Sequence, residues 1–188
     1  MNYNEIISSN PNFGENWFTY PNLYSEMVKK FDSGSHFVEL GSWKGRSVVY
    51  MAVEIINSGK QIRFDSIDRW QTEPEWQMSG DEVYATFLDN IKPVRSAVNV
   101  IRKDSSTAAA DYSDGSLDFV FIDADHTYEG VSKDIKAWLP KVKNGGILAG
   151  HDYAWFPPIR EAVKDIFGPG DYSDPWGNGC FWTQVRRA

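Results

Sequence analysis

Cysteine is nearly missing: Cys180 is the single one in 188 residues. No internal disulfide can form, which suits a reducing compartment. Long apolar runs are missing as well. None approaches the roughly 20 residues a membrane-spanning helix needs, so no membrane partner is expected. Residues Met1 to Asn10 are polar, carry Glu5, and lack the basic start and apolar stretch of a secretory leader. These absences together make a cytoplasmic protein the expectation. Basic clusters are few and short, Lys141-Val142-Lys143 and Arg186-Arg187, and the formal net charge is -7. A polyanion would be repelled without a basic patch, so nucleic acid is not an expected partner. Repeats, low-complexity tracts and linkers are missing too, so 1–188 reads as one domain.

What is present is a globular composition, 41% hydrophobic and 24% charged. Aromatic residues make up 15% and include eight Trp. Some belong to a core, but a chain this polar also has rings to line a pocket.

Short apolar runs alternate with helical segments. Strands are expected at His36 to Leu40, Gln61 to Ile67, Val98 to Ile101, Leu117 to Ile122 and Ile147 to Ala149. Helices are expected at Ser47 to Asn57, stopped by Ser58-Gly59, and at Val131 to Val142, ending at Asn144-Gly145-Gly146. This alternation implies an α/β fold, a Rossmann-like sheet with helices on both faces. A helical cap over 1–34, with a helix at Asn22 to Phe31, precedes the first strand. Residues 71–93 form a lid-like insertion with Pro74, Trp76, Met78 and Gly80, then a helix from Asp81 to Ile91. A helix follows Pro157-Pro158. The last strand, near Gly179 to Val185, has no helix after it. It should pair antiparallel at the sheet edge or insert beside the fifth strand.

Glu39-Leu40-Gly41-Ser42-Trp43-Lys44-Gly45-Arg46-Ser47 joins the first strand to its helix. Gly41 lets the backbone turn sharply near a ligand, and Gly45 permits close contact at the helix start. The helix N-terminus then offers N–H groups to an anion. Glu39 would repel a pyrophosphate but attract an ammonium group. An amino-acid moiety satisfies both ends, which favours S-adenosylmethionine over a dinucleotide. The G-x-G-x-x-G fingerprint is also lacking. Asp68 closes the second strand, where a carboxylate can accept both ribose hydroxyls. Asp104-Ser105 follows the third strand at the edge where an adenine would lie, although a helix N-cap explains the pair equally well.

The fourth strand ends in Asp123-Ala124-Asp125-His126, and the fifth in His151-Asp152-Tyr153. In a parallel sheet these ends are adjacent, at the edge where ligands bind. His126 suits a general base. Asp123, His151 and Asp152 could hold a divalent cation, which would lower a hydroxyl's pKa and aim it at a methyl group.

These residues resemble the class I methyltransferases, nearest to the metal-dependent small-molecule O-methyltransferases of the catechol, caffeoyl-coenzyme A and macrolide-sugar types. Glu39 to Ser47 matches that family's E-x-G-x-x-x-G-x-S pattern. Asp123-Ala124-Asp125 matches its D-A-D element, whose first Asp is a metal ligand. His126 stands where the caffeoyl-coenzyme A types carry a lysine, the residue credited with base duty in the catechol enzyme. Gly145 to Asp152 aligns with the G-G-x-x-x-x-D-N segment. The resemblance covers roughly Phe37 to Tyr153. It implies a mostly parallel class I sheet with an antiparallel C-terminal strand, and S-adenosylmethionine held by Glu39, Gly41, Ser42, Trp43, Gly45, Ser47, Asp68, Asp104, Ser105 and Asp123.

The family's D-N pair is His151-Asp152 here. Magnesium prefers oxygen, so a His favours a softer ion such as manganese, an altered site, or no metal. The expected partner is a small-molecule acceptor, in a pocket built by Trp17, Phe18, Tyr20, Trp70, Trp76 and the Tyr153 to Phe156 stretch. The sequence leaves room for a homo-oligomer. Three other readings remain: an NAD(P)-dependent oxidoreductase on a similar sheet, a cofactor-binding module without catalysis, and different chemistry such as hydroxylation.

Overall fold

Along the central strands, side chains alternate between two sealed faces. In β1 (His36–Leu40) and β4 (Leu117–Ile122), Phe37, Phe119 and Phe121 join one buried cluster. Val38, Leu40, Val120 and Ile122 join another on the opposite face. Apolar residues at successive positions are what a strand covered on both sides needs. The structure, a computed structural model, describes residues 1–71 and 78–187.

The first face is covered by α1 (Tyr3–Ser9), α2 (Pro21–Lys30), α3 (Arg46–Ser58) and α4 (Gly80–Asn90). The second is covered by α5 (Ser105–Ala108), α6 (Tyr128–Trp138) and α7 (Pro157–Phe167). The remaining strands are β2 (Arg63–Asp68), β3 (Asn99–Arg102), β5 (Val142–Gly150) and β6 (Phe181–Gln184). Their order is β3-β2-β1-β4-β5-β6. All pairs are parallel except β5 with β6. The sheet is thus the expected Rossmann-like one, with its antiparallel strand at the edge and beside the fifth.

Local chemistry sets the boundaries. Ser79 and Glu82 form a reciprocal capping box at the start of α4. Pro21 opens α2 at a position where a missing N–H costs nothing. The Lys60 ammonium closes its other end, donating to the carbonyls of Val28, Lys29 and Phe31 at 2.8, 3.0 and 2.7 Å.

Two expectations need correction. The helix expected to run to Val142 stops at Trp138, and a 3-10 turn containing Pro140 follows it. Asn144-Gly145-Gly146 lies inside β5, which is longer than expected and shifts register against β4. Helix α1 lies within the helical cap expected over 1–34, although no separate helix is expected there from the sequence. It is capped by Asn2, and Tyr3 packs edge-on against Tyr50 of α3 at 5.0 Å. Among the described residues no helix is long and apolar enough to cross a membrane.

Strand order reverses between β1 and β4, so the crevice at their carboxyl ends is the place where such sheets bind ligands.

Candidate active site

The β1–α3 turn is held in shape by carboxylates beneath it. Asp68 Oδ2 accepts from the backbone N–H groups of Ser42 and Trp43 at 2.8 and 3.0 Å, and Oδ1 accepts from Trp70 at 2.8 Å. Gly41, Trp43 and Gly45 all take positive φ, at 84, 47 and 85°. At Gly41 a Cβ would run into the Asp123 carbonyl, so glycine there lets β4 approach. Gly45, at the N-cap of α3, offers no capping side chain, and a helix start of this kind suits an anionic ligand group.

Glu39 lies under this turn and is fully buried. Tyr24 Oη donates to Oε2 at 2.6 Å and Ser47 Oγ donates to Oε1 at 2.8 Å. Burial pushes its pKa up to about 8, against the pull of these bonds. The carboxyl braces the turn from inside. The pair at Asp104-Ser105 also has structural work. Asp104 caps α5 through Thr107 N, and Ser105 Oγ donates to Asp134 at 2.7 Å.

Parallel register builds the second half of the site. Ile122 pairs with Gly150, so Asp123 and His151 emerge side by side. The ladder continues past the strand ends, with Asp123 N donating to Leu40 O and His151 N donating to Ile122 O. Asp152 turns left-handed at φ 62°, a strained conformation for a non-glycine residue. Its carboxylate reaches His126, with Oδ2 3.0 Å from Nε2. Asp123 Oδ1 lies 3.7 Å from that nitrogen and 3.5 Å from His151 Nδ1. His151 Nδ1 is 3.4 Å from Asp152 Oδ1. One donor atom each from Asp123, His126 and Asp152 falls within 4.8 Å of the others, close enough for a shared cation.

Electrostatics ties the four groups together. Hydrogen bonding to Asp123, and then to Asp152, lifts the His126 pKa to about 10. Burial opposes charge on His151, but the same two carboxylates prevail and raise it to about 9. Burial likewise works against the Asp123 and Asp152 anions, yet the two imidazoles hold both pKa values below the usual range. Each carboxylate thus favours charge on the imidazoles it faces, and each imidazole favours the anions.

Sequence reasoning had singled out all four of these residues, and the structure brings them together. It had not singled out Thr19 or Tyr24. Thr19 Oγ1 lies 2.9 Å from His151 Nε2. Tyr20, expected only as a pocket wall, donates to Asp123 Oδ2 at 2.8 Å. These contacts join residues more than a hundred positions apart, and nothing in the local sequence marks them. Of the expected acceptor walls, Trp17, Trp155 and Phe156 are exposed at 60, 54 and 43%. Trp155 stands against His151 and Phe156 stacks on His126, with centroids at 5.6 and 5.3 Å. Trp70 and Tyr153 belong to the buried core and do not line an open pocket. The Trp70 ring is held there by Phe87 and by its Nε1 bond to the Trp43 carbonyl. Trp76 lies outside the described residues, as does the rest of 72–77 in the lid-like insertion expected over 71–93.

A family model described as a methyltransferase domain matches residues 38–153. A flavonoid 3',5'-methyltransferase of Vitis vinifera is 27% identical over 150 residues, covering 76% of this chain and 57% of its own length. A Sinorhizobium fredii protein, y4gI, is 25% identical over 115 residues, covering 61% of this chain but 13% of its own. The chain therefore spans less than two thirds of either relative. Among solved structures, a Corynebacterium glutamicum protein superposes with a TM-score of 0.69 at 12% identity, over 99% of this chain and 90% of its own. The O-methyltransferase NovP gives 0.62 at 18% identity, over 90% and 80%. The Streptococcus mutans protein SMU.1697c, solved with S-adenosylhomocysteine, gives 0.59 at 12%, over 86% and 93%. At such identities the likeness is one of fold.

Proposed function

The chain belongs to the methyltransferase-domain family; from that premise we propose that it transfers the methyl group of S-adenosylmethionine to a hydroxyl oxygen of a small molecule, with a divalent cation at the strand-end cluster. The observation that carries this reading is the convergence of Asp123, His126, His151 and Asp152 beside the β1–α3 turn. Two relatives add support, one named as an O-methyltransferase and one as a flavonoid methyltransferase.

When bound, the cofactor supplies the methyl group, and the cation lowers the acceptor hydroxyl's pKa and orients it. The turn from Gly41 to Gly45 and the start of α3 suit the amino-acid end of the cofactor. Asp68 would hold the ribose, and Asp104 with Ser105 stands at the adenine edge. Mixed carboxylate and imidazole donors suit manganese better than magnesium, which takes oxygen almost throughout. His126 is the group assigned to proton transfer, since its side chain is 46% exposed against 7% for His151. With a pKa of about 10 it is an imidazolium near neutrality, so base duty requires that proton to be displaced first. Trp17, Trp155 and Phe156 are the exposed rings available to an acceptor.

The test is transfer of a labelled methyl group from S-adenosylmethionine to a panel of small hydroxyl compounds, with and without chelator. We expect methylated oxygen, and loss of transfer in chelator. Full rate in excess chelator removes the cation from the reading, and transfer confined to nitrogen or carbon removes O-methylation. Calorimetry with S-adenosylhomocysteine checks the cofactor separately.

A further inference from the structure

Two consecutive residues of the segment entering α2 each bond a different member of the strand-end cluster. Thr19 Oγ1 donates its one hydroxyl proton to the Asn178 carbonyl, 3.0 Å away. The oxygen then faces His151 Nε2, 2.9 Å away, with a lone pair. Nε2 must therefore carry the hydrogen of that bond. The other ring nitrogen, Nδ1, is the one turned toward Asp123 and Asp152. Asn178 is fixed in its turn, because Asp174 accepts from its backbone N–H at 3.1 Å and from its side-chain amide at 3.1 Å.

Tyr20 acts on the neighbouring carboxylate. Its phenol donates to Asp123 Oδ2, which leaves Oδ1 facing His126 and His151. The Tyr20 ring cannot drift, since Phe121, His151 and Tyr24 surround it at 4.5, 4.7 and 5.1 Å. The phenol is the donor of that pair, since a carboxylate oxygen only accepts.

We infer that Thr19 and Tyr20 are positioning residues that aim His151 Nδ1 and Asp123 Oδ1 at one point between β4 and β5, so that His151, on releasing its Nδ1 proton to solvent, would be a nitrogen donor to the cation. This rests on the metal-assisted reading above. Partners that fix the tautomer and orientation of a metal-binding imidazole are typically worth about 10–100-fold in metal affinity.

The experiment uses Mn2+ alone with the full chain, and free Mn2+ is read by electron paramagnetic resonance. Thr19→Val removes the hydroxyl at nearly constant shape, Thr19→Ser keeps it, and Tyr20→Phe removes only the phenol oxygen. We expect Thr19→Val and Tyr20→Phe to weaken binding by about 10–100-fold, with Thr19→Ser close to the unsubstituted chain. An equal loss in Thr19→Ser and Thr19→Val would mean that shape matters and the hydroxyl does not, which overturns the inference. Binding abolished by Asp152→Asn but unaltered in Thr19→Val and Tyr20→Phe overturns it too, and leaves the cation reading standing. No Mn2+ binding by the unsubstituted chain overturns both.

Discussion

Replacing Glu39 by Gln should make the protein more resistant to alkaline pH. Burial pushes the Glu39 pKa up to about 8 from the ordinary 4.5, so the folded chain is expected to keep a proton there that the unfolded chain releases. A raised acid pKa stabilises the fold fully below the unfolded value, and that stability is lost as pH rises through the folded value. Each pH unit in between costs about 1.4 kcal/mol. Over the whole interval the ceiling is about 5 kcal/mol, and partial relaxation around the anion would reduce it. Glutamine keeps the shape and the neutral charge but cannot ionise. Stability of Glu39→Gln relative to the unsubstituted chain should therefore climb by about 2–4 kcal/mol between pH 5 and 8. The raised histidines also lose stability above about pH 6.5, but both chains carry them and the difference cancels their effect. Urea unfolding at pH 5, 6, 7 and 8, followed by tryptophan fluorescence, measures this. A difference that stays flat with pH would refute a neutral Glu39.

Gly41→Ala should destabilise the fold by about 3 kcal/mol or more, because the added Cβ meets the Asp123 carbonyl at a backbone φ of 84°. An unchanged urea midpoint would show that the β1–β4 approach can relax. Asp68→Asn should weaken S-adenosylhomocysteine binding by about 10–100-fold, since a charge-assisted contact is worth about 1.5–3 kcal/mol. Calorimetry showing unaltered affinity in a folded variant would remove Asp68 from the cofactor site.

The strand ends were legible because β4 and β5 advertise themselves. Continuous apolar runs mark where each strand ends, and the parallel register of the fold then brings Asp123 beside His151. The Gly-rich turn was equally plain, although Gly41 turns out to accommodate a neighbouring strand. The length of β5 was hidden by Gly145 and Gly146, which read as a helix stop and instead sit in an irregular stretch of strand. Burial was the other blind spot. Glu39 looked like a ligand group, yet it spends both oxygens on Tyr24 and Ser47. Trp70 and Tyr153 looked like pocket walls because a ring's sequence position does not say which way it faces. The Thr19 and Tyr20 contacts were illegible for a simpler reason: they are made between segments that only the finished fold brings together.

The order of strands also bears on how the chain reaches this fold. β1 has a near neighbour in sequence, β2, on one side, and on the other side β4, where Leu40 pairs with Ile122. During synthesis the first half of the chain can give β1 only one of its two partners. The far edge of β1, with Phe37 and Leu40 beside it, stays open until the ribosome has passed Ile122. Closing so long a loop is entropically slow. The residues that form the reactive centre are therefore aligned by the same late pairing that completes the sheet, so a chain that has not finished its core has no assembled strand-end cluster.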